Sequence, residues 1–242
     1  MIDTHAHLDF KQFDKDREKV ISRCFKSGIK KIINIGLDLS LLEKHENIYG
    51  ATGYHPDEVD KFDLEKLKKL ASQPKIVAIG EIGLDKSKIS NLKSPPRRQA
   101  GQILVFKKQL ELAQELDLPV IIHCRKLHDE IIKIINGHRG VIHCFTGTLK
   151  QAQKYLNLGF YISFTGIITY DRSYDKVILN TPLERILLET DCPFLAPAPY
   201  RGQRCEPWMV KLTAQKIAEI KNIGFNKVVS QTTENAERLF KI

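Results

Sequence analysis

Short apolar runs alternate along the chain with longer segments whose apolar residues recur every three or four positions. The short runs have the length of buried strands, and the longer segments have the period of amphipathic helices. The pattern predicts eight strands, at residues 2–5, 31–36, 49–54, 76–81, 119–123, 141–143, 160–164 and 186–191. It predicts helices at residues 14–27, 41–46, 64–70, 97–116, 128–135, 149–158, 174–179, 208–221 and 226–240, with a polar loop at residues 83–96.

Strands that alternate with helices are typical of an α/β fold with a parallel sheet. Eight such strands in 242 residues favour a single TIM-type (β/α)8 barrel with an extra C-terminal helix. A doubly wound open sheet is the alternative, but no GxGxxG motif follows any predicted strand. Without a repeat, a low-complexity tract or a linker, residues 1–242 are expected to form one domain.

Composition limits the cellular setting. No apolar run is long enough for a membrane helix, and no basic-then-apolar leader precedes the first strand. The five cysteines include no CxxC motif and no disulfide-like spacing, so reduced thiols in the cytoplasm are expected. The formal net charge of +9 favours a polyanionic partner such as nucleic acid, although many lysines belong to the outer faces of helices. No membrane contact is expected, no protein partner can be inferred from the sequence, and a monomer is expected.

The first strand carries candidate metal ligands. In a strand, side chains two residues apart share a face, so Asp3, His5 and His7 are expected to project together. Neutral imidazoles are common ligands of divalent metals. Alone, an HxH motif near a terminus is more often a pair of surface histidines.

Four later strands also end in possible ligands: Glu81, His123, His143 and Asp191. A carboxylate at the end of an apolar strand is costly to bury unless it is paired or bound to a metal. Because the carboxyl ends of the strands of a parallel barrel lie at one rim, these side chains and the HxH pair are expected to converge there. Three other histidines, His45, His128 and His138, fall in predicted helices or turns and are expected at the surface.

Motifs along nearly the whole chain resemble those of the TatD-related deoxyribonucleases, a branch of the amidohydrolase-like metal-dependent barrels. They are IDTHAHLD, TGYHP, GEIGLD, RRQAGQILVFKKQLELAQELDLPVIIHCR, IHCFTG, LLETDCPFLAPAPYRG and ENAERLF, in the order of the family. The resemblance implies one to three divalent metal ions, and we expect two per chain, of Mg²⁺, Mn²⁺ or Zn²⁺. It implies that they are held by His5, His7, Glu81, His123, His143 and Asp191.

Roles for these residues follow from their chemistry. Two cations can hold an attacking water and a phosphate oxygen together, with Glu81 bridging them and Asp191 orienting or deprotonating the water. His55, in TGYHP, resembles a family position near the substrate and is a third candidate catalytic residue. Weaker candidates are Arg125 and Arg201 as phosphate contacts and Asp3 as a residue that orients a ligating histidine. Tyr200 is a candidate for stacking on a base, although a lone loop aromatic is more often a packing residue.

The expected activity is hydrolysis of DNA phosphodiester bonds, as a 3′-to-5′ exonuclease on single-stranded or damaged ends, with RNA as another substrate. The direction of cleavage is implied by the resemblance alone. One alternative is an ester or amide hydrolase such as a D-aminoacyl-tRNA deacylase, which could use the same metal centre. Another is a non-catalytic nucleic-acid-binding barrel that holds a structural ion.

Overall fold

Eight parallel strands form one sheet in which each strand pairs with the next strand along the chain. The computed structural model describes residues 1–87 and 95–242, and the side chains of all of these except residues 95–97. Two backbone hydrogen bonds close the sheet, from Asp191 N to His5 O (2.9 Å) and from His7 N to Cys192 O (2.9 Å). The predicted TIM-type barrel is therefore confirmed. The strands are β1 Ile2–Ala6, β2 Lys31–Ile35, β3 Ile48–Thr52, β4 Ile76–Asp85, β5 Val120–Arg125, β6 Gly140–Ile142, β7 Tyr161–Phe164 and β8 Ile186–Leu188.

Helices surround the barrel, and two follow the last strand, which accounts for the predicted extra C-terminal helix. Among the described helix starts, side-chain caps fix two: Asp63 accepts a hydrogen bond from Lys66 N, and Thr148 forms a capping box with Gln151. In residues 1–87 and 95–242, no helix is long and apolar enough to cross a membrane. The helices are α1 Arg17–Lys26, α2 Ser40–Lys44, α3 Leu64–Ala71, α4 Pro95–Glu115, α5 His128–Ile134, α6 Leu149–Asn157, α7 Asp175–Asn180, α8 Val210–Lys221 and α9 Phe225–Phe240.

Strand alternation divides the apolar core into two clusters. Ile121 of β5 belongs to an inner cluster with residues of the other strands, whereas Val120 and Ile122 belong to the outer cluster beneath the helices. Leu239 and Phe240 of α9 pack against the inner cluster. The barrel interior is thus filled with hydrocarbon, as this fold requires, and the polar residues are left for the rim.

Most predicted segments agree with the structure to within a few residues, but the rim differs in detail. β4 continues to Asp85, so Glu81 lies inside the strand, and the predicted loop at residues 83–96 begins later than expected. Residues 88–94 of that loop lie outside the described residues. β6 and β8 end at Ile142 and Leu188, so His143 comes directly after its strand and Asp191 three residues after its strand, instead of belonging to them.

Candidate metal centre

A cleft of about 1270 Å³ opens at the carboxyl end of the strands. Glu81, His123, His143 and Asp191 line it together with His7. The sixth predicted ligand, His5, lies just below the surface of the cleft, where it is fully buried and contacts His7. The structure therefore brings all six predicted ligands to one place, as the common rim of a parallel barrel requires.

The His5 and His7 rings meet edge to face at the end of β1. Their Nε2 atoms are 3.2 Å apart, and each also lies close to a carboxylate: Glu81 Oε2 is 3.4 Å from His5 Nε2, and Asp191 Oδ1 is 3.5 Å from His7 Nε2. The His7 Nδ1 atom faces Ile35 O at 3.3 Å, a contact that orients the ring and favours a proton on Nδ1. The lone pair of His7 Nε2 is then directed at the same small volume as the carboxylate oxygens.

Glu81 is at the centre of the cluster. The pairing between β4 and β5 shifts register between Ile79 and Ile82, and such an irregularity can re-aim a side chain towards a site. The Glu81 Oε1 atom is 2.6 Å from His123 Nδ1 and 2.8 Å from His143 Nε2. With the contact of its Oε2 atom to His5, this one buried carboxylate lies next to imidazoles from β1, from β5 and from the end of β6.

The donor set fits divalent cations. Three overlapping groups have ligand atoms within 4.8 Å of one another; they are His5–His7–Glu81, His5–His143–Asp191 and His55–Glu81–His123. Imidazole nitrogens and carboxylate oxygens are the ligands that Zn²⁺ and Mn²⁺ accept. Because the groups share His5 and Glu81, the arrangement could hold more than one ion with Glu81 between them.

The carboxylates and imidazoles of the cluster shift one another's pKa values. Burial alone would raise the pKa of Glu81, but the neighbouring imidazoles hold this pKa well below its usual value. Burial alone would lower the pKa of His143, but the carboxylates of Glu81 and Glu189 raise it well above its usual value. The carboxylates thus attract positive charge, which protons on imidazoles supply and which a divalent cation would supply in their place.

Two buried carboxylates behind the histidines were not among the predicted site residues. Glu189 Oε1 lies 3.3 Å from His143 Nδ1 and accepts a hydrogen bond from Cys144 N at 2.5 Å, while Oε2 accepts one from the Ser163 hydroxyl at 2.7 Å. Asp85 Oδ2 lies 3.5 Å from His123 Nε2. Such partners orient a ligating imidazole and raise its basicity. The available sequence signal was a carboxylate placed next to or inside an apolar strand, which is costly to bury without a partner.

His55 lies at the edge of the same cluster, with Nε2 3.8 Å from Glu81 Oε1. Its Nδ1 atom accepts a hydrogen bond from Asp57 N at 3.1 Å, so a neutral His55 carries its proton on Nε2. Burial lowers the pKa of His55, which favours this neutral form. In this tautomer His55 directs an N–H group into the cleft, where it can donate a hydrogen bond; the other tautomer would present Nε2 to the ligand group that His55 forms with Glu81 and His123.

Asp3 does not orient a ligating histidine through its ring, as the sequence had suggested. Its carboxylate accepts hydrogen bonds from Thr190 N at 2.9 Å and from the Thr190 hydroxyl at 2.6 Å, and a long one from His5 N at 3.4 Å. Burial raises the pKa of Asp3 to about 8. Asp3 joins the backbone of β1 to the segment before Asp191, and so it fixes two ligand-bearing segments relative to each other.

The two predicted phosphate contacts have different surroundings. Arg125 ends β5, is exposed and lines the cleft, as does Lys61. Arg201 is not among the described residues that line the cleft; its guanidinium lies over the Tyr170 ring, 4.4 Å from the centroid. This cation–π contact holds Arg201 beside Tyr170, and the role of Arg201 as a phosphate contact stays a prediction.

Comparison with known proteins gives the family. The model of the family described as TatD related DNase matches residues 2–241. The chain belongs to this family. It is therefore a metal-dependent hydrolase with an amidohydrolase-like TIM barrel, in agreement with the resemblance and with the ligand cluster.

Relatives in the TatD family match over their full length. The chain is 40% identical to the Bacillus subtilis protein named uncharacterized metal-dependent hydrolase YabD, covering 100% of this chain and 99% of that protein. It is 35% identical to the Erwinia tasmaniensis protein named 3′-5′ ssDNA/RNA exonuclease TatD, covering 100% of both. The crystal structure of YjjV, a TatD homologue from Escherichia coli, superposes with a TM-score of 0.91 at 32% identity, covering 100% of this chain and 98% of that one.

Proposed function

We propose that the protein is a divalent-metal-dependent phosphodiesterase that removes nucleotides from the 3′ end of single-stranded or damaged DNA, with RNA as a second substrate. The observation that carries the proposal is the open cleft in which four imidazoles and two carboxylates from five strand ends surround one small volume. The name of the Erwinia relative supports the choice of a single-stranded nucleic acid and of the 3′-to-5′ direction.

The predicted ligands form two groups that share Glu81. His5 and His7 would hold one cation with Glu81 and Asp191, and His123 and His143 would hold a second with Glu81. Divalent cations bound there supply positive charge for the phosphate oxygens and lower the pKa of a nearby water. We favour two ions, of Mg²⁺, Mn²⁺ or Zn²⁺, because Glu81 offers both of its oxygens to different imidazoles.

Three side chains act on the substrate in this proposal. Asp191 lies over His5 and His7 with its carboxylate in the cleft, where it orients the attacking water and accepts its proton. Histidines beside Asp191 keep its pKa below the usual value in spite of burial, so the carboxylate is available as a base. His55 donates a hydrogen bond from its Nε2–H group to the phosphate or to the leaving oxygen, and the leaving oxygen takes up its proton from water in the open cleft. Arg125 at the cleft edge pairs with a neighbouring phosphate.

The test is a metal-dependence series on a defined strand. A single strand labelled at its 5′ end is incubated with the protein in EDTA and then with each of Mg²⁺, Mn²⁺ and Zn²⁺. We expect no cleavage in EDTA and a ladder of products shortened one nucleotide at a time when a suitable ion is restored. Glu81→Ala is expected to abolish cleavage, whereas Glu111→Ala, which removes an exposed carboxylate from α4, is expected to leave it unchanged.

Parallel measurements separate the alternatives. Release of amino acid from aminoacylated tRNA without cleavage of the strand would favour a deacylase. Tight binding of the strand that EDTA leaves intact, with no turnover under any ion, would favour a non-catalytic barrel. A ladder that shortens from the 5′ end of a 3′-labelled strand would refute the proposed direction but not the phosphodiesterase chemistry.

A further inference from the structure

Two aromatic side chains stand at the edge of the metal centre without an assigned role. We call Phe10 and Phe194 the aromatic rim. Both line the cleft, and the Phe194 side chain keeps 46% of its surface exposed. A large aromatic residue that stays half exposed in a cleft lined by many charged side chains indicates a surface for a ligand, since burial would otherwise stabilise the protein.

Short turns tie each ring to a candidate ligand. The backbone N–H of Phe10 donates to His7 O at 3.3 Å, and that of Phe194 donates to Asp191 O at 3.0 Å. The Phe10 ring stacks on His7 with centroids 4.6 Å apart, and the Phe194 ring meets Phe10 edge to face at 6.1 Å. The aromatic rim is therefore fixed at the His7–Asp191 side of the cluster, next to the position where a phosphate would be held.

The charges of the cleft give an independent reason to expect an aromatic contact. Among the described residues that line it, carboxylates outnumber lysine and arginine by seven to two; the carboxylates are Asp9, Asp38, Asp57, Glu58, Glu81, Asp85 and Asp191, and the cations are Lys61 and Arg125. These side chains offer few direct contacts for the phosphates of a strand. Stacking of a base on an aromatic ring provides affinity without phosphate contacts and tolerates any base sequence.

We infer that the aromatic rim stacks the nucleobase of the nucleotide whose 5′-phosphate lies at the metal centre, with Phe194 as the contacting ring. This inference rests on the proposed function, because it assigns the departing 3′-terminal nucleotide to that side of the cleft. It replaces Tyr200 as the stacking residue; Tyr200 packs edge to face on Trp208, with ring centroids 5.4 Å apart. The rim then selects nucleotides over sugar phosphates that lack a base.

Calorimetry with two small probes tests the rim without any turnover. Protein loaded with Mn²⁺ is titrated with deoxyadenosine 5′-monophosphate and, separately, with 2-deoxyribose 5-phosphate, which lacks the base. We expect the nucleotide to bind about tenfold more tightly, which is the size of one base–aromatic stack. Phe194→Leu is expected to remove this difference while the affinity for the sugar phosphate is kept. Leu104→Ala, which truncates an exposed apolar side chain on the outer helix α4, is expected to change neither affinity.

A second variant controls for a local packing defect in Phe194→Leu. Phe194→Trp keeps a stacking surface, so its affinity for the nucleotide is expected to match or exceed that of the wild type. Its added tryptophan fluorescence should be quenched by the nucleotide but not by the sugar phosphate, with the wild type, whose single tryptophan is Trp208, as the background.

Equal affinity of the wild type for both probes, including failure to bind either, would overturn the inference, as would an equal loss of both affinities in Phe194→Leu. These outcomes are separate from the strand assay. Selective nucleotide binding without strand cleavage would overturn the proposed function alone, whereas cleavage without a base preference would overturn the aromatic rim alone.

Discussion

The buried histidine at the start of α5 predicts how stability depends on pH. His128 is only 5% exposed, its Nδ1 faces the Tyr155 hydroxyl at 3.2 Å, and that hydroxyl donates to His128 O at 3.2 Å. The Nε2 atom has no hydrogen-bond partner among the described residues. A proton there would leave a buried N–H group without an acceptor, and burial accordingly lowers the pKa of His128 to about 4.

The sign and size of the effect follow from this pKa. The unfolded chain takes up a proton below about pH 6.5, whereas the folded protein does so only near pH 4. Stability from neutral His128 is therefore complete above pH 6.5 and is lost as the pH falls towards 4. Between pH 8 and pH 5 the loss is about 2 kcal/mol, because stability falls by roughly 1.4 kcal/mol for each pH unit below about pH 6.5.

Urea unfolding followed by Trp208 fluorescence measures this loss. His128→Gln cannot take up the proton, so its free energy of unfolding should fall by about 2 kcal/mol less than that of the wild type between pH 8 and pH 5. EDTA keeps both proteins in the same metal state, and the cluster histidines contribute equally to both. The pKa of His138 is also lowered by burial, but this side chain is less buried, so His138→Gln should flatten the profile less. Parallel pH profiles for the wild type and His128→Gln would refute the reasoning.

Three further substitutions test the metal centre and its support. Asp191→Asn should abolish strand cleavage with the far-UV circular dichroism spectrum unchanged; near-native turnover would contradict its role as base. Glu189→Gln should weaken Mn²⁺ binding, measured by calorimetry, by about 10- to 100-fold because the imidazole in front of it loses a charged partner; an unchanged affinity would show that the contact only fills space. At Gly83 the backbone φ is +147°, and a Cβ would overlap the carbonyl oxygen of the paired strand. Gly83→Ala should therefore lower the free energy of unfolding by about 3 kcal/mol. The control is Gly101→Ala within α4, where a Cβ would meet no other atom; it should raise the free energy of unfolding by up to about 1 kcal/mol. Equal effects of the two substitutions would exclude the steric explanation.

The sequence by itself determined the barrel and the place of the ligands. Short apolar runs alternate with segments whose apolar residues recur every three or four positions, which predicts strands and helices in alternation. A parallel barrel then puts the carboxyl ends of all its strands at one rim. His5 and Asp191 are 186 positions apart in the chain, yet their convergence follows from topology alone. That residues 1–242 form one domain stays a prediction.

Only the tertiary structure decided which side chains support the ligands. The sequence shows Glu189 as a carboxylate beside an apolar strand. Its contact with His143 depends on how the segments that follow β6 and β8 lie relative to each other. Asp3 had been expected to contact an imidazole, and it instead holds Thr190 because β8 ends three residues before Asp191. Local pattern cannot supply such distances, since they are set by the packing of segments remote in sequence.

The same reason explains the residues whose surroundings were mispredicted. His128 had been expected at the surface because it begins a helix, but Tyr155 and Phe145 cover it. Periodicity likewise gave no sign that Arg201 lies over Tyr170, and its role as a phosphate contact stays a prediction. Phe10 and Phe194 form a rim only because β1 and the segment after β8 are neighbours across the closure of the barrel. Periodicity fixes which face a side chain takes, whereas its partner is fixed by the fold that brings a distant segment to that face.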